Sequence, residues 1–243
     1  MPAAAALPRP PALPTRPGAG PRADAPTSRA VAWELVLHRL VRRELRLLAE
    51  LSARAPADDP ERTRVLTGHA DLLGRLLLHH HATERELLWP ALLRAAPSAR
   101  PRVQAWDARV AGLDDRLRAL STAARQWAVA GSGRAHDAAT LACLDLADAV
   151  ELQTAEEERD LLPLLAAHVS PAAWAELARA ARSPLSRRER LLVVGLALED
   201  ASAEERAGLL AGLPVPIRLA WRLVGRGRHR AAVVRLRGEP PAR

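Results

Sequence analysis

The chain has 243 residues, of which 49% are hydrophobic and 26% charged, and its formal net charge is +8. This length and composition suffice for one sizeable core and exclude a wholly disordered protein. No stretch of the sequence approaches the roughly 18 apolar residues of a membrane span, so we expect no transmembrane segment. Cys143 is the single cysteine, which excludes an internal disulfide framework and favours a reducing, cytoplasmic location.

Every basic residue among the 36 counted as Lys and Arg is an arginine, and the only aromatic residues are six tryptophans. This restricted amino-acid composition is typical of GC-rich codon usage, so the positive charge is weak evidence for a nucleic-acid partner. Because no nucleic-acid reading motif is present either, we expect no nucleic-acid partner. Nothing in the sequence identifies a protein partner or an oligomeric state.

A proline-rich arm precedes the first helical pattern, and residues 1–28 are predicted to be disordered. Ser28 is a candidate N-cap for a first helix that ends near Pro56. A second helix is predicted to begin at Asp59, a candidate N-cap followed by Pro60, and to end just before Pro97.

Two more helices of similar length follow. The third opens near Ser98 and Pro101 and ends at a glycine-containing break at 131–133, and the fourth runs to about His168. Four amphipathic helices of roughly 25 to 35 residues with short connections predict an all-α, up-and-down four-helix bundle.

The bundle and a short helix from Ser170 are assigned to residues 29–182, and a basic helical extension to residues 183–243. Capping boxes at Ser186 and Ser202, each with a glutamate three residues later, predict short helices there. The last helix presents an apolar face that we expect to dock on the bundle with its arginines in solvent. That face comprises Ile217, Ala220, Trp221 and Val224.

Polar side chains interrupt the apolar seam of the second helix. His80 and Glu84 lie on this seam one turn apart, so both are predicted to point inward. The apolar members of the seam are Leu66, Leu73, Leu76 or Leu77, Leu87 and Ala91. An inward imidazole or carboxylate is costly unless it is paired or holds a metal. The flanking His79 and His81 are predicted to point away from the seam, toward the surface.

The first and fourth helices also carry polar residues on their seams. The seam of the first helix comprises Val31, Glu34 or Leu35, His38, Val41, Leu45 and Leu48. The seam of the fourth comprises Cys143, Leu146, Val150, Gln153, Glu157, Leu161 and Leu164. Histidines and carboxylates that project inward from facing helices of a bundle are typical of non-haem metal sites.

Three segments resemble motifs of the hemerythrin-like (HHE cation-binding) domains. His-Arg-Leu-Val-Arg-Arg-Glu-Leu, which starts at His38, is similar to their first-helix motif, whose histidine is an iron ligand. His80-x-x-x-Glu84 followed by Leu-Trp-Pro is similar to their second-helix motif, in which the histidine and the glutamate are ligands. Glu-Glu-Arg-Asp-Leu-Leu-Pro-Leu-Leu, which starts at Glu157, is similar to their fourth-helix motif. The resemblance covers roughly residues 30 to 168.

The resemblance implies a hemerythrin-like bundle and a metal site formed by His38, His80, Glu84 and one of Glu157 or Glu158. Two further histidines of the family pattern are replaced, because the matching positions hold Val110 and Gln153. Valine cannot bind a metal, and the amide of glutamine is a poor iron ligand. Three states therefore remain open: a di-metal site, one weakly held metal ion, or no metal.

The sequence thus predicts a non-haem metal-binding module, with a redox or gas-sensing role and an incomplete ligand set. Iron is the candidate cofactor, as a mononuclear rather than a di-iron centre, although two histidines and two carboxylates also suit zinc or manganese. The alternative is a metal-free scaffold or interaction protein, in which His80 and Glu84 form an imidazolium–carboxylate pair. No phosphate-binding loop, nucleophile elbow or Cys-x-x-Cys motif points to an enzyme.

Overall fold

The computed structural model describes residues 29–181 and 183–241. Four long helical rods follow one another along the chain, two of them interrupted by a π-helical turn. Their segments are α1 (Arg29–Arg54), α2 (Pro60–Thr83), π1 (Glu84–Leu88), α3 (Trp89–Ala95), α4 (Arg100–Ala130), α5 (Gly133–Glu156), π2 (Glu157–Leu161) and α6 (Leu162–His168). The predicted arm at 1–28, with the candidate cap Ser28, lies outside the described residues.

The four rods form the predicted bundle. In space α1 neighbours α2, α2 neighbours α4, α4 neighbours α5, and α5 closes the ring on α1. Short connections between rods produce the antiparallel arrangement. Asp59 caps α2 by accepting hydrogen bonds from the N–H groups of Glu61 and Arg62. Gly131 ends α4 in the left-handed conformation with φ +56°, and the Ser132 hydroxyl caps α5. The all-α fold class is confirmed.

The π-helical turns move the buried stripe along the sequence. In π1 the N–H of Trp89 donates to the carbonyl of Glu84, five residues back, so the turn holds one extra residue. At the last residue of the turn and beyond it, Leu88 and Leu92 are buried, not the predicted Leu87 and Ala91, which are half-buried. The seam prediction was therefore wrong by one residue after the turn, because it assumed an uninterrupted α-helical period.

The fourth rod repeats this feature. The N–H of Leu162 donates to the carbonyl of Glu157, and Leu165 is buried in place of the predicted Leu164. After both of these turns a proline is the second residue, Pro90 in the second rod and Pro163 in the fourth. Proline lacks an N–H and its ring clashes with the carbonyl four residues back, and a widened turn relieves that clash.

The C-terminal part continues as helices packed beside the bundle. Its segments are α7 (Pro171–Ala180), α8 (Arg187–Glu199), α9 (Ala203–Gly212), α10 (Val215–Ala220), π3 (Trp221–Gly225) and α11 (Arg226–Arg237). Both capping boxes form, at Ser186 and Ser202. The last apolar face does not dock on the bundle as predicted, because Trp221 is buried in a separate apolar cluster with Leu191 and Leu198 of α8. Val224 is 43% exposed, and Gly225 is buried instead. The cause is again a π-helical turn, which adds one residue before that position.

A buried ionic network fixes the last helix to the first two rods. The fully buried Glu44 carboxylate accepts hydrogen bonds from His69 Nε2 at 2.9 Å and from Arg237 at 2.6 Å. Arg237 also donates to Glu199 at 2.6 Å, and the second oxygen of Glu199 lies 2.9 Å from His229 Nε2. The C-terminal extension is thus bound to the bundle by charge as well as by apolar contact.

The apolar interior of the bundle is divided into two parts. One contains Leu45, Leu77 and Val150, and the other contains Trp106 and Leu161. The polar seam residues lie between them and form a layer across the bundle. Within the described ranges no helix is both long and apolar enough to cross a membrane.

Candidate metal centre

The polar layer draws one or two side chains from each of three rods. Helix α1 supplies Glu34 and His38, α2 supplies His80, and the two π-helical turns supply Glu84 and Glu157. All are buried except His80, which is 13% exposed at its side chain. Val110 of α4, which stands where the family pattern has a histidine, is fully buried and offers no ligand atom.

His38 is held between two carboxylates of the fourth rod. Its Nε2 lies 3.2 Å from Glu157 Oε2, and its Nδ1 lies 3.2 Å from Glu158 Oε1. Because ionised carboxylates only accept hydrogen bonds, this arrangement favours a proton on both ring nitrogens, the imidazolium form of His38. Burial by itself would lower the pKa of His38, but the hydrogen bonds to Glu157 and Glu158 outweigh it and raise that pKa to about 9. Gln153 orients Glu157 by donating to its other oxygen at 2.7 Å.

His80 is not paired in this way. Its Nε2 lies 3.6 Å from both Glu34 Oε2 and Glu84 Oε1, beyond hydrogen-bond length. Burial and the neighbouring His81 and His38 lower the pKa of His80. Burial also raises the pKa of Glu84 well above its ordinary range and that of Glu34 to about 7. The imidazolium–carboxylate pair of His80 and Glu84, which belongs to the metal-free alternative, is disfavoured by these pKa shifts, whereas the raised pKa of His38 favours its charged form.

Glu34, His38 and His80 converge. One potential ligand atom from each lies within 4.8 Å of the other two. Atoms bound to one metal ion are about 3–4 Å apart at bond lengths near 2.1 Å, so small side-chain rotations would bring these three together. Glu34 Oε2 and Glu84 Oε2 are buried and have no hydrogen-bond partner among the described residues. Buried acceptors without donors are costly, and a cation satisfies them. The donor set therefore fits a metal ion.

The comparison with known families agrees with this geometry. The hemerythrin HHE cation-binding domain matches residues 32–165, which is more than half of the chain. The protein belongs to this family. The matched range includes every side chain of the polar layer and stops before α7. The searches of curated proteins and of solved structures gave no significant match.

Beside the hemerythrin-family layer lies a histidine that the helical pattern had placed on the surface. His81 is buried, and its Nδ1 donates to Asp114 Oδ1 at 2.6 Å. Asp114 lies one turn after Val110 on α4, and its second oxygen accepts from Arg85 at 2.6 Å. His81 thus faces the third rod while His80 faces the first, because residues adjacent on a helix point about 100° apart.

Not all the predicted site residues of this hemerythrin-family protein lie inside the buried layer. His38, His80, Glu84 and Glu157 share the buried layer. Glu158 lies at its edge with a side chain that is 28% exposed, where it also accepts from Arg42 at 2.8 Å. Of the two glutamates it is therefore Glu157 that faces the interior.

Glu34 was missed as a ligand by the sequence analysis, although it was placed on the seam. A signal was available, because Glu34-x-x-x-His38 repeats in reverse the His80-x-x-x-Glu84 spacing. Two residues four apart lie on the same helical face, so both pairs point into the layer.

Proposed function

We propose that this hemerythrin-family protein binds one non-haem metal ion in the polar layer, with iron as the natural occupant. The convergence of Glu34, His38 and His80 beside two unpartnered carboxylate oxygens carries this proposal. Glu84 and Glu157 are close enough to His80 and His38 to complete the ligand set. Nitrogen and carboxylate donors without a thiolate suit iron, manganese and zinc.

The residues of the chain have distinct roles in this proposal. A histidine binds a metal only through a deprotonated nitrogen, so His38 must give up the proton that it shares with Glu157. Gln153 then holds Glu157 in place through its other oxygen. Bound iron would supply a redox-active centre able to bind a small gaseous ligand, which is the basis of the proposed redox or gas-sensing role. The lone cysteine supports a reducing, cytoplasmic setting for it.

The contacts of His38 favour a second candidate function. His38 is fully satisfied by Glu157 and Glu158 without any metal, as expected if the bundle serves as a scaffold or interaction module. In this alternative the ion pairs of the layer are structural and the family's cofactor has been lost.

Metal content distinguishes the two candidates. The protein is reconstituted anaerobically with Fe(II), Zn(II) or Mn(II), desalted and analysed by mass spectrometry for metal per chain. We expect about one ion per chain in the wild type and in the control His79→Ala, which removes a neighbouring histidine outside the cluster. His80→Ala and Glu34→Gln should each lose it, and thermal stabilisation by the metal should disappear with it.

Two results would contradict the proposal. If none of the three metals binds at any concentration that leaves the protein folded, the metal-binding proposal fails and the scaffold alternative is favoured. If His80→Ala retains the metal of the wild type, the ion binds elsewhere on the chain.

A further inference from the structure

The last helical rod, residues 215–237, exposes large aliphatic side chains on its outer face. Its segments α10, π3 and α11 follow one another without a break. One side of the rod is turned toward the protein, where Trp221, His229 and Val233 are buried. On the other side Leu219 is 50% exposed and Leu223 is 81% exposed. The rod is therefore apolar on its solvent side as well as on its docked side.

The exposed aliphatic residues form one row along the rod. Val215, Leu219 and Leu223 follow one another at steps of four, and residues four apart are neighbours on a helix surface. Val215 is also more than half exposed, and none of the three belongs to an apolar cluster of the described residues. An exposed apolar row bordered by polar residues marks a surface that binds a membrane or another protein.

A row of arginines runs beside the aliphatic row. It comprises Arg218, Arg222, Arg226 and Arg230, again at steps of four. Each of the first two directly precedes a leucine of the aliphatic row, so the two rows are adjacent. The last three arginines are exposed and form no ion pair or hydrogen bond with any residue that the structure describes, and Arg218 donates only to a backbone carbonyl, at 3.4 Å. Because residues 207–238 contain no aspartate or glutamate, this charge is not neutralised within its own stretch of chain.

We propose that this face binds the surface of a membrane that contains anionic lipids, with the rod lying in the plane of the interface. The arginine row contacts lipid phosphates through charge-assisted hydrogen bonds. Leu219 and Leu223 enter the boundary between the head groups and the acyl chains. The surface uses no residue of the metal layer, so its binding does not depend on a bound metal.

The composition of the face favours a lipid partner over a protein or a nucleic acid. Its exposed apolar residues are all aliphatic, whereas protein interfaces are enriched in aromatic residues. A nucleic acid would satisfy the arginines through its phosphates but offers no apolar layer for Leu219 and Leu223. A lipid surface presents phosphates above acyl chains, so it accounts for both rows at once.

Co-sedimentation of the full chain with vesicles tests the proposal. Vesicles of phosphatidylcholine alone are compared with vesicles that contain about one-third phosphatidylglycerol, at constant ionic strength because salt screens exposed charges. We expect at least about tenfold tighter binding to the anionic vesicles. Arg222→Gln should weaken this binding about fivefold, the contribution of one basic residue near an anionic surface. The control is Arg134→Gln, which removes an exposed arginine at the start of α5 that has no ion-pair partner among the described residues, and it should leave the binding almost unchanged.

Leu223→Ala tests the aliphatic row separately. Alanine favours a helix, so the fold should be kept, and circular dichroism checks this. Binding to the anionic vesicles should weaken about tenfold, because most of the apolar area that this side chain brings to the lipid is lost. Leu141→Ala is the matched control, since it makes the same substitution at a leucine of α5 that is 65% exposed, and it should bind as the wild type does.

Four results would overturn the proposal. Equal binding to the two kinds of vesicle would leave the arginine row without a role. Equal effects of Arg222→Gln and Arg134→Gln would reduce the interaction to the net charge of the protein. Unchanged binding by Leu223→Ala would show that the leucines stay outside the lipid, and the arginine row would then suit a polyanion such as a nucleic acid. A dimer at the concentration of the assay that Leu223→Ala dissociates, measured by analytical ultracentrifugation, would show that a second copy of the chain covers the row.

Discussion

Replacing Glu44 by glutamine tests the ionic network that joins the last helix to the bundle. Burial alone would raise the pKa of Glu44, but the hydrogen bond from His69 and the charges of Arg237 and Arg43 overcome it. The pKa falls from its ordinary value of 4.5 to about 2. At about 1.4 kcal/mol per pKa unit, the ionised carboxylate contributes roughly 3 kcal/mol to the free energy of unfolding at neutral pH.

The sign of the pH dependence follows from the lowered pKa. The folded state binds this proton less readily than the unfolded chain, so the stabilisation is present above pH 4.5 and is lost as the pH falls toward 2. Glu44→Gln cannot ionise and lacks this stabilisation at every pH. The stability difference between wild type and variant should therefore be about 3 kcal/mol at pH 7 and about half of that at pH 3.

Urea unfolding followed by circular dichroism at several pH values measures this difference. Glu50→Gln is the control, because Glu50 lies on the same helix with a side chain that is 54% exposed and pairs with Arg54 at 3.4 Å. An exposed pair of this kind is worth about 0.5 kcal/mol or less. A Glu44→Gln deficit that stays constant between pH 7 and pH 3, or that matches the control, would refute the assigned role of the network.

Two other predictions concern packing and pairing in the metal-free protein, and thermal denaturation measures both. His38→Leu should lower the stability by about 3 kcal/mol, because it leaves buried carboxylates without their cation. His80→Leu should cost less than about 1 kcal/mol, since His80 makes no side-chain hydrogen bond to any residue that the structure describes. Equal losses in the two variants would contradict this account of the layer. Gly195→Ala should cost about 2 kcal/mol, because the new methyl group would lie 2.3 Å from the ring of His229. Gly208→Ala, in an exposed helical position with nothing within 4 Å, should instead stabilise the protein by up to about 1 kcal/mol, and a destabilised Gly208→Ala would show that the helix itself rejects the side chain.

The fold was predictable because its signals are local. Asp59 with Pro60, the glycine-containing break at 131–133 and the two capping boxes mark helix ends through hydrogen bonds made within a few residues. The period of apolar residues between those ends predicts the bundle. The placement of His38, His80, Glu84 and Glu157 in the interior follows from the same period together with the resemblance to the family.

The register beyond each π-helical turn could not be derived from the helical period. One added residue rotates the following helix by about 100°, and this exchanged Leu87 for Leu88, Leu164 for Leu165 and Val224 for Gly225 in the interior. Prolines follow two of the turns, but a proline in a helix also causes simple kinks. The packing of neighbouring rods selects between these outcomes.

The sequence by itself determined the helices, their order, the family and the residues able to bind a metal, because each depends on the local pattern of side chains. The tertiary structure decided which of those residues meet. It placed Glu34 with His38 and His80, gave the positive charge to His38, and joined His81 to Asp114 on another rod. Such pairings depend on distances between groups remote in sequence and on the burial that shifts their pKa values. No local pattern in the chain encodes either quantity.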